Sequence, residues 1–131
     1  MTRRFLTDRD GAAALETALV APIFITLVLA IFNAGWALYC GGEVRHAVER
    51  STRLLIADPD TPESTIEADV LGALHSADPD DVTFAMTTEE VGDDGQIARL
   101  SWTYGYALDA PFIDPVELEF DSSIVVPLRG A

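Results

Sequence analysis

The chain contains no lysine and a single cysteine, Cys40. One cysteine excludes an internal disulfide in any compartment. Every basic residue that carries a fixed charge is an arginine, and beyond Ala57 only Arg99 and Arg129 stand against a long series of Asp and Glu. The formal net charge is −14, so nucleic acid is excluded as a partner of the C-terminal part, because phosphate binding needs the opposite sign. A phosphate loop, paired His or Cys at metal-ligand spacing and a G-x-S-x-G turn are all missing. His46 and His75 have no nucleophile or ligand at a useful spacing and read as surface positions. The chain therefore reads as non-enzymatic, with no cofactor and no metal. Asp58, Asp60, Asp78, Asp80, Asp81, Asp93 and Asp94 gather in Asp-Pro-Asp and Gly-Asp-Asp-Gly runs. None fits a spaced calcium loop with its terminal Glu, and Asp, Pro and Gly are what turns use. A solvated acidic surface is the plain reading, and calcium is the alternative.

What is present in quantity is apolar sequence. Between Gly11 and Gly42 the only ionisable side chains are Glu16, Tyr39 and Cys40. From Thr17 to Gly42 a helix would measure roughly 39 Å, longer than the roughly 30 Å hydrocarbon core of a bilayer. A secretory signal peptide has a shorter apolar region ending in a small-x-small site. Here the run is far longer, and Gly35-Trp36-Ala37 lies too deep to serve, so a retained membrane helix over residues 12–42 is expected. A carboxylate in such a segment is costly and points to function by default. Glu16 is that carboxylate, five residues after Gly11. Pro22 removes a backbone donor and crowds the carbonyl of Ala18, which predicts a kink. Asn33 bonds either to another helix or to its own backbone, and Trp36 with Tyr39 fall where an outer aromatic belt would lie. Cys40 reads as a small buried or lipid-facing residue.

The string Gly11-Ala12-Ala13-Ala14-Leu15-Glu16, followed by Thr17-Ala18-Leu19-Val20-Ala21-Pro22, resembles the N-terminus of type IV pilin-like proteins, and most closely the TadE-like minor pseudopilins of tight-adherence (Tad/Flp) pilus systems. The resemblance covers roughly residues 9–40. It implies that a prepilin peptidase cuts between Gly11 and Ala12 on the cytoplasmic side, leaving Glu16 as the fifth residue of the mature chain. It also implies the other pilin or pseudopilin subunits and an inner-membrane assembly platform as partners. The alternative is an uncleaved signal-anchored protein with a periplasmic binding or adaptor domain. Arginine counting does not orient the span, since Arg3, Arg4 and Arg9 on one side face Arg45, Arg50 and Arg53 on the other. The short leader and the motif place residues 1–11 in the cytoplasm and residues 43–131 outside.

After Gly42 the spacing of Val44, Ala47, Val48, Leu54 and Leu55 is helical, so the rod continues to about Ile56. Asp58-Pro59-Asp60-Thr61-Pro62 stops it and starts a second helix, capped by Thr61 or Ser64 and running through about Ser76 with Ile66, Val70 and Leu74 as its apolar stripe. From Val82 the period becomes two. Val82, Phe84 and Met86, then Ala98 to Leu108 across the turn at Gly92–Gly95, then Val116 to Val126 after Asp109-Ala110-Pro111, predict an antiparallel three-stranded meander. The aromatic row Trp102, Tyr104 and Tyr106 reads as core. The fold expected is α+β, with the sheet's apolar face covered by the long helix and the second helix.

Overall fold

A computed structural model describes residues 9–92 and 95–129. The leader residues Arg3, Arg4 and Asp8, and Asp93 with Asp94 of the first hairpin turn, lie outside the described residues. Helix α1 spans Arg9–Ala57 and α2 spans Glu63–Gly72; a short 3-10 turn at Pro79–Asp81 leads into the strands β1 (Val82–Val91), β2 (Gly95–Ala110) and β3 (Ile113–Arg129). The sheet is antiparallel in the order β1-β2-β3, the α+β meander that the change of period predicts.

Alternation decides which face is buried. Phe84 on β1, Ala98, Leu100, Trp102 and Tyr104 on β2, and Val126 and Leu128 on β3 pack against Cys40, Val44, Ala47, Val48 and Leu55 of α1 and Ile66 and Val70 of α2. The intervening residues of β3, including Glu117, Glu119 and Asp121, are exposed. Fully burying one Leu or Val side chain in such a layer is worth about 1.5–3 kcal/mol. Cys40 is among the buried residues, and the Tyr104 hydroxyl meets its thiol. Burial, then that thiol, holds the Tyr104 hydroxyl well above the ordinary tyrosine range. Trp102 is buried too, and its Nε1 has no hydrogen-bond partner among the described residues.

Three details correct the sequence expectations. Neither Thr61 nor Ser64 caps α2: Pro62 occupies the N-cap and no side chain bonds there, because the Thr61 hydroxyl donates to the Asp58 carbonyl instead. Helix α2 ends at Gly72 rather than near Ser76, since the amides of His75, Ser76 and Ala77 donate to the Glu43 carboxylate of α1 at 2.9 Å each. The strands also run longer than their apolar cores, with β2 reaching Ala110 and β3 beginning at Ile113.

That extra length is unevenly shared. β1 pairs with β2 only from Gly95 to Tyr104, whereas β2 and β3 go on pairing from Gly105 to Ala110 and from Ile113 to Glu119. A two-stranded ribbon therefore overhangs the sheet. Such a ribbon is marginal by itself, and this one leans on α1.

Candidate membrane and assembly interface

Helix α1 continues as one helix through Pro22, where proline withholds one backbone donor. Its uncharged polar side chains Thr17, Thr26 and Asn33 turn back onto the helix, donating to the Ala13, Pro22 and Leu29 carbonyls respectively. Around them Leu15, Leu19, Val20, Ile23, Phe24, Leu27, Ile31 and Phe32 are exposed. An apolar helix that leaves its hydrophobic side chains uncovered is built for lipid or for other helices. Among the described residues it is the one helix long and apolar enough to cross a membrane, and it fits a single-pass membrane protein.

Gly11 and Ala12 sit in the first turn of α1, exposed, with nothing close to the glycine's missing side chain. The amides of a first turn have no intrahelical acceptors. Glu16 is exposed one turn further on and takes part in no ion pair among the described residues. Ala12 and Glu16 are four apart and so lie on the same side of the helix.

The other half of α1 is spoken for by the chain's own domain, and the cover begins earlier than Gly42. Ala37 and Cys40 are buried beneath the sheet. A Cβ on Gly41 would come within 3.2 Å of the Phe120 ring, so glycine is what allows β3 to approach there. Asn33 donates to the Asp109 carbonyl at 3.0 Å and accepts from the Tyr106 hydroxyl at 3.2 Å. Its tertiary partner is thus a strand of its own domain, in addition to its own helix. Still nearer the N-terminus, Pro22, Ile23, Thr26, Leu27 and Ala30 form one wall of a groove of about 410 Å³ whose other wall is Phe112 and Ile113.

Between the core residues Cys40 and Val44, α1 carries the Glu43 staple. Its side chain is 18% exposed. Burial alone would raise its carboxyl, but the three amides it accepts outweigh that and hold it below the ordinary value. This residue carries no motif and sequence reasoning missed it. His75 stands 3.7 Å from Glu43, and His46 stands 3.5 Å from Glu49, both well exposed. Trp36 and Tyr39 are exposed side by side with ring centres 5.5 Å apart. The acidic runs close on themselves: Asp60 N–H donates to Asp58 Oδ1 and Asp80 N–H donates to Asp78 Oδ1, which is turn chemistry. No group of three or more His, Cys, Asp or Glu is gathered to hold a metal among the described residues.

Residues 11–53, about a third of the chain, match a family model described as TadE-like protein. No curated protein and no solved structure matches the chain.

Proposed function

We propose that this chain, TadE-like over residues 11–53, is a minor pilin-like structural subunit of a Tad/Flp-type pilus. The observation that carries the reading is one continuous helix, Arg9–Ala57. It sets Gly11 and Glu16 at the start of an uncovered apolar surface and ends as the backbone of a folded acidic domain. Pilin assembly asks for that division: one half of the rod for lipid and then for neighbouring helices, the other half for the domain. The function is structural rather than catalytic, and its partners are a prepilin peptidase, other pilin or pseudopilin subunits and the assembly platform of the cytoplasmic membrane. The leader stays in the cytoplasm and the acidic domain lies outside.

Cleavage after Gly11 gives Ala12 a free α-amino group at the positive end of the helix dipole, an unfavourable place for a cation. Glu16 is positioned to offset it, within the same chain or from an adjacent one. Pairing in a medium that solvates neither charge fixes the axial register of packed helices. Pro22, by removing one backbone hydrogen bond, is the point at which the rod adapts its bend to that packing.

The test is the series Glu16→Leu, Glu16→Asp and wild type, scored by copurification with the other pilin subunits and by pilus formation. Glu16→Leu is expected to insert normally, since it makes the helix more apolar, and to lose incorporation. Glu16→Asp falls between, because the charge remains with one methylene less reach. Equal incorporation of wild type and Glu16→Leu would favour the uncleaved anchor instead.

A further inference from the structure

The tip of the β2–β3 ribbon is built unlike the rest of the exported domain. It runs Ala110-Pro111-Phe112-Ile113 between Asp109 and Asp114, an apolar point behind a pair of acids. Pro111 fixes its own φ near −65°, and Phe112 follows at φ 65. That sequence of φ values is the pattern of a type II turn, whose second central position belongs to Gly or Asn. Phenylalanine there is strained, because its Cβ crowds the following carbonyl. The strain supports no packing, because the Phe112 side chain is 89% exposed. Ile113 and Val116 beside it are half exposed. A large apolar side chain held outward at a conformational cost has its use outside the chain.

Its position says what lies outside. The ribbon descends along α1 toward the N-terminus, with Phe120 at Gly41, Asp109 and Tyr106 at Asn33, and Phe112 and Ile113 at Pro22–Ala30. A hydrocarbon layer of roughly 30 Å takes about 20 helical residues. Begun at Ala12, it ends near Phe32, one residue before Asn33. The tip therefore lies below that level, on the same apolar surface that α1 turns to lipid. Backbone inside hydrocarbon must have its polar groups satisfied. Part of that demand is met within the tip: Pro111 has no N–H to satisfy, the Asp109 carbonyl accepts from Asn33, and Ala110 pairs with Ile113. The Asp109 carbonyl's contact with Asn33 also puts that acid at the boundary rather than inside.

We propose that Pro111, Phe112 and Ile113 form a second membrane contact, a hairpin tip that dips into the outer leaflet beside the helix and seats acyl chain in the groove between Phe112 and Pro22–Ala30. The lipid-facing part of the rod is then residues 12–32 and not 12–42, and the exported domain is held at a fixed height and angle on the bilayer. The acids at the rim favour a zwitterionic surface over an anionic one. This inference rests on the membrane reading of α1 and adds nothing to the pilin role itself.

The test uses the full chain with Cys40→Ala, carrying one environment-sensitive fluorophore at Leu19→Cys, Phe112→Cys, Ile113→Cys or Thr87→Cys, in phosphatidylcholine vesicles containing a doxyl-labelled phosphatidylcholine. Leu19 reports whether α1 is in lipid, and Thr87, exposed on β1, reports water. Labels at 112 and 113 are expected to be quenched by the doxyl lipid as strongly as at 19 and to escape aqueous iodide. Quenching at 19 with water-like behaviour at 112 and 113 would overturn the tip inference and leave the membrane helix standing. Protection from iodide without doxyl quenching, weakening as the protein is diluted in lipid, would assign the tip to a second copy of the chain and also overturn it. Water-like behaviour at 19 as well would remove both.

Discussion

Glu43 adds a polar tie between α1 and the loop after α2, beside the apolar contacts that Ile66, Val70 and Ala77 make in the same core. Its carboxylate takes three consecutive amides from the loop after α2, and hydrogen bonds to a charged acceptor are worth about 1.5–3 kcal/mol apiece before the cost of desolvation is subtracted. Glu43→Gln keeps the shape but removes the charge and turns an amine toward the same donors, so a loss of about 1–3 kcal/mol is expected by chemical denaturation in detergent micelles. The pH dependence has a definite sign. The carboxyl is held below the ordinary value of 4.5 in the folded chain, so its contribution is fully present above that value and is lost as the pH falls through the lower folded one. Wild type should lose stability over that acid window and Glu43→Gln should lose less; parallel curves would show that the carboxylate is not the staple. A second residue, Asn33, does comparable work for the ribbon. Asn33→Leu leaves the Asp109 carbonyl and the Tyr106 hydroxyl without their partner, and amide exchange should quicken across residues 105–119, by the equivalent of about 1–3 kcal/mol of local stability, while β1 is unchanged.

At the scale of elements, the apolar half of α1 and the folded domain meet without a break at any one residue. The rod is continuous, and the sheet's cover extends from Leu55 back through Cys40 and Ala37 to the Asn33 clamp. A fragment starting at Glu43 discards part of the core, whereas one starting at Asn33 keeps it. The longer fragment should therefore melt cooperatively and with more protected amides in β2 and β3 than the shorter one; equal melting of the two would mean that the N-terminal contacts contribute nothing. Much of this organisation is legible in the amino acids. The long apolar run, its helical continuation past Gly42, the period-two segments and the burial of Trp102 and Tyr104 all follow from patterns that one element sets by itself. The overhanging ribbon does not, because its length depends on pairing between Leu108 and Val116 and on the lean against α1, and the residues at its tip match no strand pattern. Glu43 was invisible for another reason: the groups it binds are backbone amides, which leave no signature in sequence. The Thr61 cap failed because its hydroxyl donates to the Asp58 carbonyl three residues back, a choice that spacing alone does not decide.

For the molecule as a whole, the two ends of the rod answer to different solvents. The part beyond Gly42 is strongly acidic and has its core filled by its own helices and sheet, while the apolar half of α1 is left uncovered over nearly its whole circumference. The candidate residues divide in the same way: Gly11, Ala12 and Glu16 are singled out by the resemblance in sequence, and the tip at Phe112 only by the fold. Everything assigned to the N-terminal half depends on whether the chain is cut where the first turn of α1 is open. Co-expression of the full chain with its cognate prepilin peptidase, followed by N-terminal sequencing of the membrane fraction, reads this directly. The expected sequence begins at Ala12, and a Gly11→Leu chain should remain uncut; recovery of wild-type chain from that fraction with Met1 or Thr2 still at its start would contradict the pseudopilin assignment.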